Sequence, residues 1–327
     1  MEQRKVGRSG IEVPPIILGG NVFGWSADQA TSFTLLDAAM ERGLTCIDTA
    51  DIYSHWAPGN RGGESETIIG AWLKRRGRRD DVAIHTKGGA PDAPGDLANA
   101  NLSAAYLTRA VDASLRRLGT EYIDLYYVHF DDKTTPPEET LGAFQRLIEA
   151  GKLRAIGASN YAPDRLRQAL DTADQHGLPR YACLQTLYNL YERAPYEAEL
   201  EALCTEKGLG VMSYFSLASG FLTGKYRSEA DFAKSSARGG GMTKYLNPRG
   251  QRILAALDAV AKAQDATPAQ VALAWLLARP SVTAAIASAT SLAHLEELVA
   301  AARLHLDGAA IERLDTASAE EASPAAA

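Results

Sequence analysis

Four ionisable residues carry most of the chemistry legible in this sequence: Asp48, Tyr53, Lys87 and His129. The run Thr45–Tyr53 reads as a buried strand that opens into a polar loop. Thr45, Cys46 and Ile47 suit a short strand covered on both faces, Asp48 stands at its end, and Tyr53 lies on the loop beyond. A carboxylate and a phenol are thereby set close together. A tyrosine hydroxyl, which ordinarily titrates at about 10, is a poor proton donor unless a nearby cation lowers that value. The next strand candidate supplies a cation, Lys87, at its end. The strand after that, Tyr122–His129, ends in a histidine. Together these residues form a proton-handling constellation.

Such a constellation needs a frame that brings consecutive strand ends to one place. Phe33, Leu36 and Met40 form an apolar stripe that stops at Gly43, and Ile68, Ile69, Trp72 and Leu73 form another that stops at Gly77. Further stripes end at Gly119, Gly151, Gly177 and Gly208. Glycine just past a helix accepts the left-handed cap at little steric cost. Short apolar runs alternate with the stripes: Thr45–Asp48, Val82–Thr86, Ile123–Val128, Arg154–Ala158, Ala182–Gln185 and Gly210–Tyr214. Ile16–Leu18 precedes them and Thr283–Ala287 follows. Strands alternating with helices imply a parallel sheet with crossover helices. Eight such units close into a (β/α)8 TIM barrel, an α/β fold whose active site lies at the C-terminal strand ends.

The doubly wound alternative wants a Gly-x-Gly-x-x-Gly turn after its first strand, and Leu18–Gly24 is only a loose echo of one. The barrel is therefore the expectation, with residues 1–327 as one domain. Arg4–Val6 and Ile11–Val13 read as an N-terminal hairpin, within residues 1–15, capping the barrel bottom. Two segments break the repeat. Ser54–Gly63 carries His55 and Trp56 beside Tyr53, and residues 227–250 are too long for a simple connector. Both read as pocket wall or lid. Residues 318–327, rich in Glu and Ala, read as a disordered tail.

At 46% hydrophobic over 327 residues, the chain buries a large core without staples. A net charge of −6 argues against non-specific nucleic-acid binding and supplies no attraction to a membrane surface. The N-terminus lacks the apolar core of a signal peptide, and Val271–Ala278 is too short to span a bilayer. Cys46, Cys183 and Cys204 fall in apolar contexts, which reads as buried free thiols rather than disulfides or metal ligands. The expectation is a cytoplasmic protein with no metal and no nucleic-acid or membrane partner.

Several motifs then follow in one order: Asp48–Tyr53 with Gly63–Gly70, Thr86–Lys87, Asp124–His129, Gly151–Asn160, Gln185 with Tyr188 and Asn189, and Tyr214–Tyr226. On these the chain resembles the aldo-keto reductase superfamily, most closely its microbial and potassium-channel β-subunit-like branch. The likeness runs from Val6 to about Leu314. It implies a barrel that binds a nicotinamide dinucleotide in extended form across its top and reduces an aldehyde or ketone to an alcohol. Tyr53 would be the general acid, with its pKa lowered by Lys87. Asp48 would hold Lys87 by an ion pair, and His129 would orient or polarise the carbonyl. The arrangement is coherent, because a cation beside a phenol stabilises phenolate and donors aimed at the carbonyl oxygen meet the charge that develops there.

The same likeness implies the dinucleotide contacts. Gly20, Asn21 and Asp48 would border it, Ser159, Asn160 and Gln185 would bind the carboxamide, and Tyr214 would stack on the nicotinamide. Phe215, Ser216, Leu217, Ser219 and Gly220 would line the pyrophosphate path, with Lys225 as counter-charge. Arg238 would grip the adenosine end, and Ser288, Thr290, His294 and Glu297 would form the adenosine-phosphate loop and following helix, whose N-terminus suits a phosphate. Many relatives carry Lys or Arg in that loop, whereas this chain has Ser288, Thr290, Ser291 and His294. Leu298 stands where an asparagine often follows the glutamate, and Phe215–Leu217 replaces the commoner Ser-Pro-Leu. Arg238 is then the obvious cation for a 2′-phosphate, and NADP(H) is expected over NAD(H).

Phe23, Trp25, His55, Trp56 and Phe130 can form an aromatic pocket floor, and no charged clamp stands out, so the expected substrate is a small neutral carbonyl compound. The competing readings are a redox-sensing regulatory subunit with little turnover, an NAD(H)-dependent sugar or alcohol dehydrogenase, and a Schiff-base aldolase using Lys87. The full reactive set disfavours the first, and the downstream cofactor motifs disfavour the last.

Overall fold

Ten strands and eleven α-helices among the described residues define the architecture. The computed structural model describes residues 1–90, 100–235 and 239–320. The strands are β1 (Arg4–Lys5), β2 (Glu12–Val13), β3 (Ile16–Gly19), β4 (Cys46–Asp48), β5 (Ala83–Gly88), β6 (Ile123–Val128), β7 (Leu153–Ser159), β8 (Tyr181–Leu187), β9 (Gly210–Tyr214) and β10 (Ala284–Ala287). β3 to β10 pair in sequence order, all parallel, and β10 returns to β3 to close a barrel. Parallel neighbours need crossovers, and helices supply them. They are α1 (Gln29–Glu41), α2 (Glu64–Arg76), α3 (Ala104–Leu118), α4 (Pro137–Glu149), α5 (Pro163–His176), α6 (Ala194–Glu197), α7 (Leu200–Lys207), α8 (Pro248–Ala263), α9 (Pro268–Leu277), α10 (Leu292–Ala301) and α11 (Gly308–Ser318). This is the (β/α)8 barrel expected from the sequence.

Two apolar layers hold it. Inside the barrel, Ile17, Cys46, Leu125, Tyr127, Cys183 and Met212 pack together with Val6 and Val13. The β1–β2 hairpin thus pushes two valines into the bottom of the barrel. Outside, the helix stripes cover the strands, as where Leu107, Val111 and Leu118 of α3 are fully buried. Cys46, Cys183 and Cys204 are all free and buried. No helix among the described residues is long and apolar enough to cross a membrane.

The long segment at residues 227–250, read as pocket wall or lid, carries local structure of its own among the described residues. It forms short turns of 3-10 helix at Glu229–Lys234, Gly239–Gly241 and Thr243–Tyr245, and α8 begins at Pro248. Tertiary contacts hold the segment down. Arg227 forks onto Asp258 at 2.7 and 2.8 Å, the Tyr245 hydroxyl donates to Glu192 at 2.9 Å, and Tyr245 stacks on Phe221. Ser318, the first residue read as tail, is the last residue of α11. It is buried and accepts a hydrogen bond from Arg193 at 2.8 Å. The remaining tail from residue 321 lies outside the described residues.

α2 and α3 cross most tightly at Gly70, where an added Cβ would overlap the Arg117 carbonyl oxygen. Alanine ordinarily gains up to about 1 kcal/mol over glycine inside a helix. Overpacking against fixed backbone costs about 1–3 kcal/mol or more, so the clash wins. Gly70→Ala should lower the unfolding free energy by about 1–2 kcal/mol. Urea denaturation of the two proteins measures it, and a more stable variant would disprove the close crossing.

Candidate active site

A cavity of about 990 Å3 opens at the C-terminal ends of the barrel strands. Beneath it, Lys87 near the end of β5 is 1% exposed, as is Asp48 at the end of β4. An ammonium group has three protons to donate. Lys87 Nζ spends them on Asp48 Oδ1 at 2.6 Å, the Thr49 carbonyl at 2.8 Å and the Tyr53 hydroxyl oxygen at 2.9 Å. The second Asp48 oxygen accepts from Gln185 Nε2 at 2.8 Å, so a side chain of β8 reaches across the barrel to it. Burial works to lower the Lys87 pKa, but the Asp48 charge and the Tyr53 oxygen outweigh it and hold the ammonium above its ordinary value.

The loop after β4 is fixed by the strand beside it. Thr49 N–H donates to the His85 carbonyl at 2.8 Å and Asp51 N–H to the Lys87 carbonyl at 3.0 Å, and a turn from Ala50 then presents Tyr53. Thr49 and Ser65 hydroxyls lie 2.8 Å apart, and Ser65 donates to the Gly20 carbonyl, tying the loop to the start of α2. Asn60 donates to the carbonyls of Gly24 and Ser54, which folds the Ser54–Gly63 segment against the β3 loop. Burial, with the Glu66 charge, pushes the Asp51 carboxyl up to about 8.

His129 follows β6 and its ring lies 6.2 Å from that of Tyr53, centre to centre, in an edge-to-face arrangement. Its Nδ1 is buried without a partner. Burial, reinforced by the Lys87 charge, holds the imidazole well below its usual range, so it is neutral at pH 7. Asn160 Nδ2 donates to the His129 carbonyl and to Ser159 Oγ, both at 3.0 Å, and Asn160 Oδ1 accepts from the Tyr214 hydroxyl at 2.6 Å. Burial pushes that phenol up to about 12.

Most of the residues singled out from the sequence line this one cavity. Asp48, Tyr53, His129, Ser159, Asn160, Gln185 and Tyr214 do, as do Phe215, Ser216, Leu217, Ser219, Gly220 and Lys225. Asn21, Ser288, Thr290, His294 and Glu297 line it as well. Ser288 donates to Asn21, which joins the β10 loop to the β3 loop. Ser291 caps α10, whose first turn borders the cavity. Gly20 lies below the lining, its N–H bonded to the Asp48 carbonyl at 2.7 Å. Arg238 lies outside the described residues.

The aromatic wall differs from expectation in two members. Trp25, Trp56 and Phe130 line the cavity, with the tryptophans edge to face at 5.6 Å and Phe130 stacked on His129 at 4.7 Å. Phe23 has no exposure because it packs into the outer core, and only its carbonyl engages the loop, accepting from Ser54 at 2.6 Å. His55 sits behind Trp56, its Nδ1 2.9 Å from the Ile52 carbonyl oxygen. Val22, Thr223 and Ala269 also line the cavity, and no motif singles them out. They are ordinary residues brought in by tertiary packing.

The sequence pattern of the Aldo/keto reductase family matches residues 15–319. The chain belongs to the aldo/keto reductase family. It is 34% identical over 315 residues to the uncharacterized oxidoreductase YrpG of Bacillus subtilis, covering 94% of this chain and 93% of that one. It is 32% identical to the aldo-keto reductase yakc [NADP(+)] of Schizosaccharomyces pombe, covering 95% and 89%. It is 31% identical to the L-glyceraldehyde 3-phosphate reductase of Escherichia coli K12, covering 92% and 87%. This aldo/keto reductase is accordingly an oxidoreductase.

His85, on β5, links the stability of the fold to pH. Both its ring nitrogens are buried without partners, and burial lowers its pKa to about 4, with Asp48 and Asp124 opposing. Unfolded, it would titrate at about 6.5. Between those values the unfolded chain binds a proton that the folded one does not. Stability contributed by neutral His85 is therefore complete above about pH 6.5 and is lost as pH falls towards 4, by up to about 1.4 kcal/mol per unit. His129 acts in the same direction. His85→Leu should lose less stability than the parent between pH 7 and 4.5 in chemical denaturation. Equal losses in both proteins would remove His85 from the acid response.

Proposed function

We propose that this protein reduces a small neutral aldehyde or ketone to the alcohol, reversibly, with NADP(H) as partner and Tyr53 as general acid. The observation that carries this is how the Lys87 protons are spent. Because Nζ donates to the Tyr53 oxygen, that oxygen is the acceptor and the ammonium charge stands against the phenol, where it stabilises phenolate. A carbonyl oxygen in the cavity can then take the phenolic proton. The cavity suits a dinucleotide in size and chemistry. It extends from the aromatic wall to the first turn of α10, and Lys225 and the α10 N-terminus offer positive potential for phosphate.

When bound, the nicotinamide cofactor supplies the hydride. The remaining work falls to side chains. As negative charge grows on the substrate oxygen, the Tyr53 O–H bond breaks and its proton passes to that oxygen. Lys87, kept charged by Asp48, stabilises the phenolate left behind, and solvent restores the proton. Neutral His129 is an uncharged ring at the cavity wall, suited to orienting the carbonyl rather than to donating a proton at pH 7. Trp25, Trp56 and Phe130 offer apolar faces, which supports an uncharged substrate. Tyr53→Phe should lower turnover by roughly two to four orders of magnitude, the range of a lost general acid, while dinucleotide affinity changes little. Carbonyl-dependent oxidation of the reduced cofactor, with a fluorescence titration beside it, tests this. Near-parental turnover would rule Tyr53 out as the acid.

The preference for NADP(H) rests on Arg238, on Lys225 and on the likeness to the yakc reductase, whose name carries NADP(+). One observation favours NAD(H): Glu297 brings a carboxylate to the α10 end of the cavity, among Ser288, Thr290 and His294. A bidentate, charge-assisted guanidinium–phosphate contact contributes about 1.5–3 kcal/mol, or roughly ten- to a hundredfold in affinity. NADPH should therefore bind more tightly than NADH, and Arg238→Ala should weaken NADPH far more than NADH. Added salt should shrink the difference. Equal parental affinities, or equal losses in the variant, would make NAD(H) the cofactor.

A further inference from the structure

A second cavity, of about 440 Å3, lies between the C-terminal ends of α2 and α3 and shares no lining residue with the strand-end cavity. Its walls carry five cations: Lys74, Arg78, Arg79, Arg116 and Arg117. The protein as a whole has 34 Lys and Arg against 40 Asp and Glu, so a wholly cationic cleft runs against its overall charge.

The five cations divide by what they touch. Arg79 is built into the wall. It donates to Asp124 at 2.6 Å and to the Val82 carbonyl at 2.5 Å, and it lies 4.4 Å over the Tyr122 ring. Arg117 is held at 2.6 Å by the fully buried Glu66. Arg78 shares Asp81 with Arg76. Lys74 and Arg116 are exposed and have no acidic partner among the described residues. A cation in the last turn of a helix offsets the helix dipole, which accounts for Lys74 and Arg116 taken singly. It does not account for Arg78 and Arg79, which lie beyond α2. Nor does it account for the tight crossing at Gly70, which sets both cationic helix ends against one cleft.

We propose that this cleft is a binding site for a small anion bearing two or more phosphate groups, gripped by Lys74 and Arg116. Two cations that line one cleft with no acidic partner among the described residues repel each other, and a multivalent anion between them removes that repulsion and gains from both. The Arg116 guanidinium fork matches phosphate oxygens, and the Lys74 ammonium adds a compact second charge. A cleft of this volume accommodates linked phosphates, and a univalent anion would satisfy only one of the two free cations.

Calorimetric titration with sodium tripolyphosphate tests the proposal on the full-length protein. The parent should show saturable binding that weakens with added salt. The double variant Lys74→Gln/Arg116→Gln should bind at least tenfold more weakly. Lys262→Gln, on the exposed face of α8, should leave the affinity unchanged. Absence of saturable binding to the parent overturns the proposal, as does an unchanged affinity in the double variant. Loss of binding on Lys225→Ala instead would put the anion in the strand-end cavity and overturn it equally.

Discussion

The buried Lys87–Asp48 pair is the constraint on which the rest of the site depends. Removing two opposite charges from water costs several kcal/mol per ion, and an apolar pair of similar size is often no less stable. The pair is tolerated here because its hydrogen-bonding capacity is spent in a fixed geometry. Lys87 has one proton for the end of β4, one for the loop backbone and one for the phenol, and the free Asp48 oxygen is taken by Gln185. Loss of Asp48 or of Lys87 would strand the other's charge in the interior. The position of Tyr53 is therefore a consequence of satisfying Lys87, and the loop backbone, bonded to β5, follows the same requirement.

Around this pair the cavity divides by chemistry. The side near Tyr53 and His129 is walled by aromatic rings, and His129 is kept neutral by burial and by the lysine charge. The side near α10 is polar, lined by hydroxyls, a histidine, a lysine and a glutamate. A long polar ligand part and a compact apolar one can thus lie in one cavity without competing for the same walls. The family's barrel supplies strand ends from all sides, which is what allows residues as distant in sequence as Asp48 and Gln185 to share one proton network.

Much of this frame was legible in the sequence because it obeys local rules. β6 was bounded at Ile123–Val128 by a continuous run of residues that are all buried, and Gly77, Gly119, Gly177 and Gly208 mark helix ends in the left-handed conformation. The meeting of Asp48, Lys87 and Tyr53 was legible because all three stand at or just beyond consecutive strand ends. What could not be read depended on packing between distant segments. Phe23 and Trp25 look alike in sequence, yet the first turns into the core and the second to the cavity. The turns within residues 227–250 form because Tyr245 and Arg227 find partners in Glu192 and Asp258, which no local pattern announces. Ser318 escaped for the same reason, since its place in α11 is held by Arg193, far away in the chain.

The hairpin at the N-terminus has a consequence for the strands above it. Val6 and Val13 pack beneath Ile17, Cys46, Leu125, Tyr127, Cys183 and Met212, so the filled interior of the barrel is completed from outside the barrel's own strands. Truncating either valine would open a void under the strands that hold Asp48 and Lys87, and a cavity in a packed core is relieved only in part by relaxation. Two valines at the closed end thus bear on how firmly the open end is held.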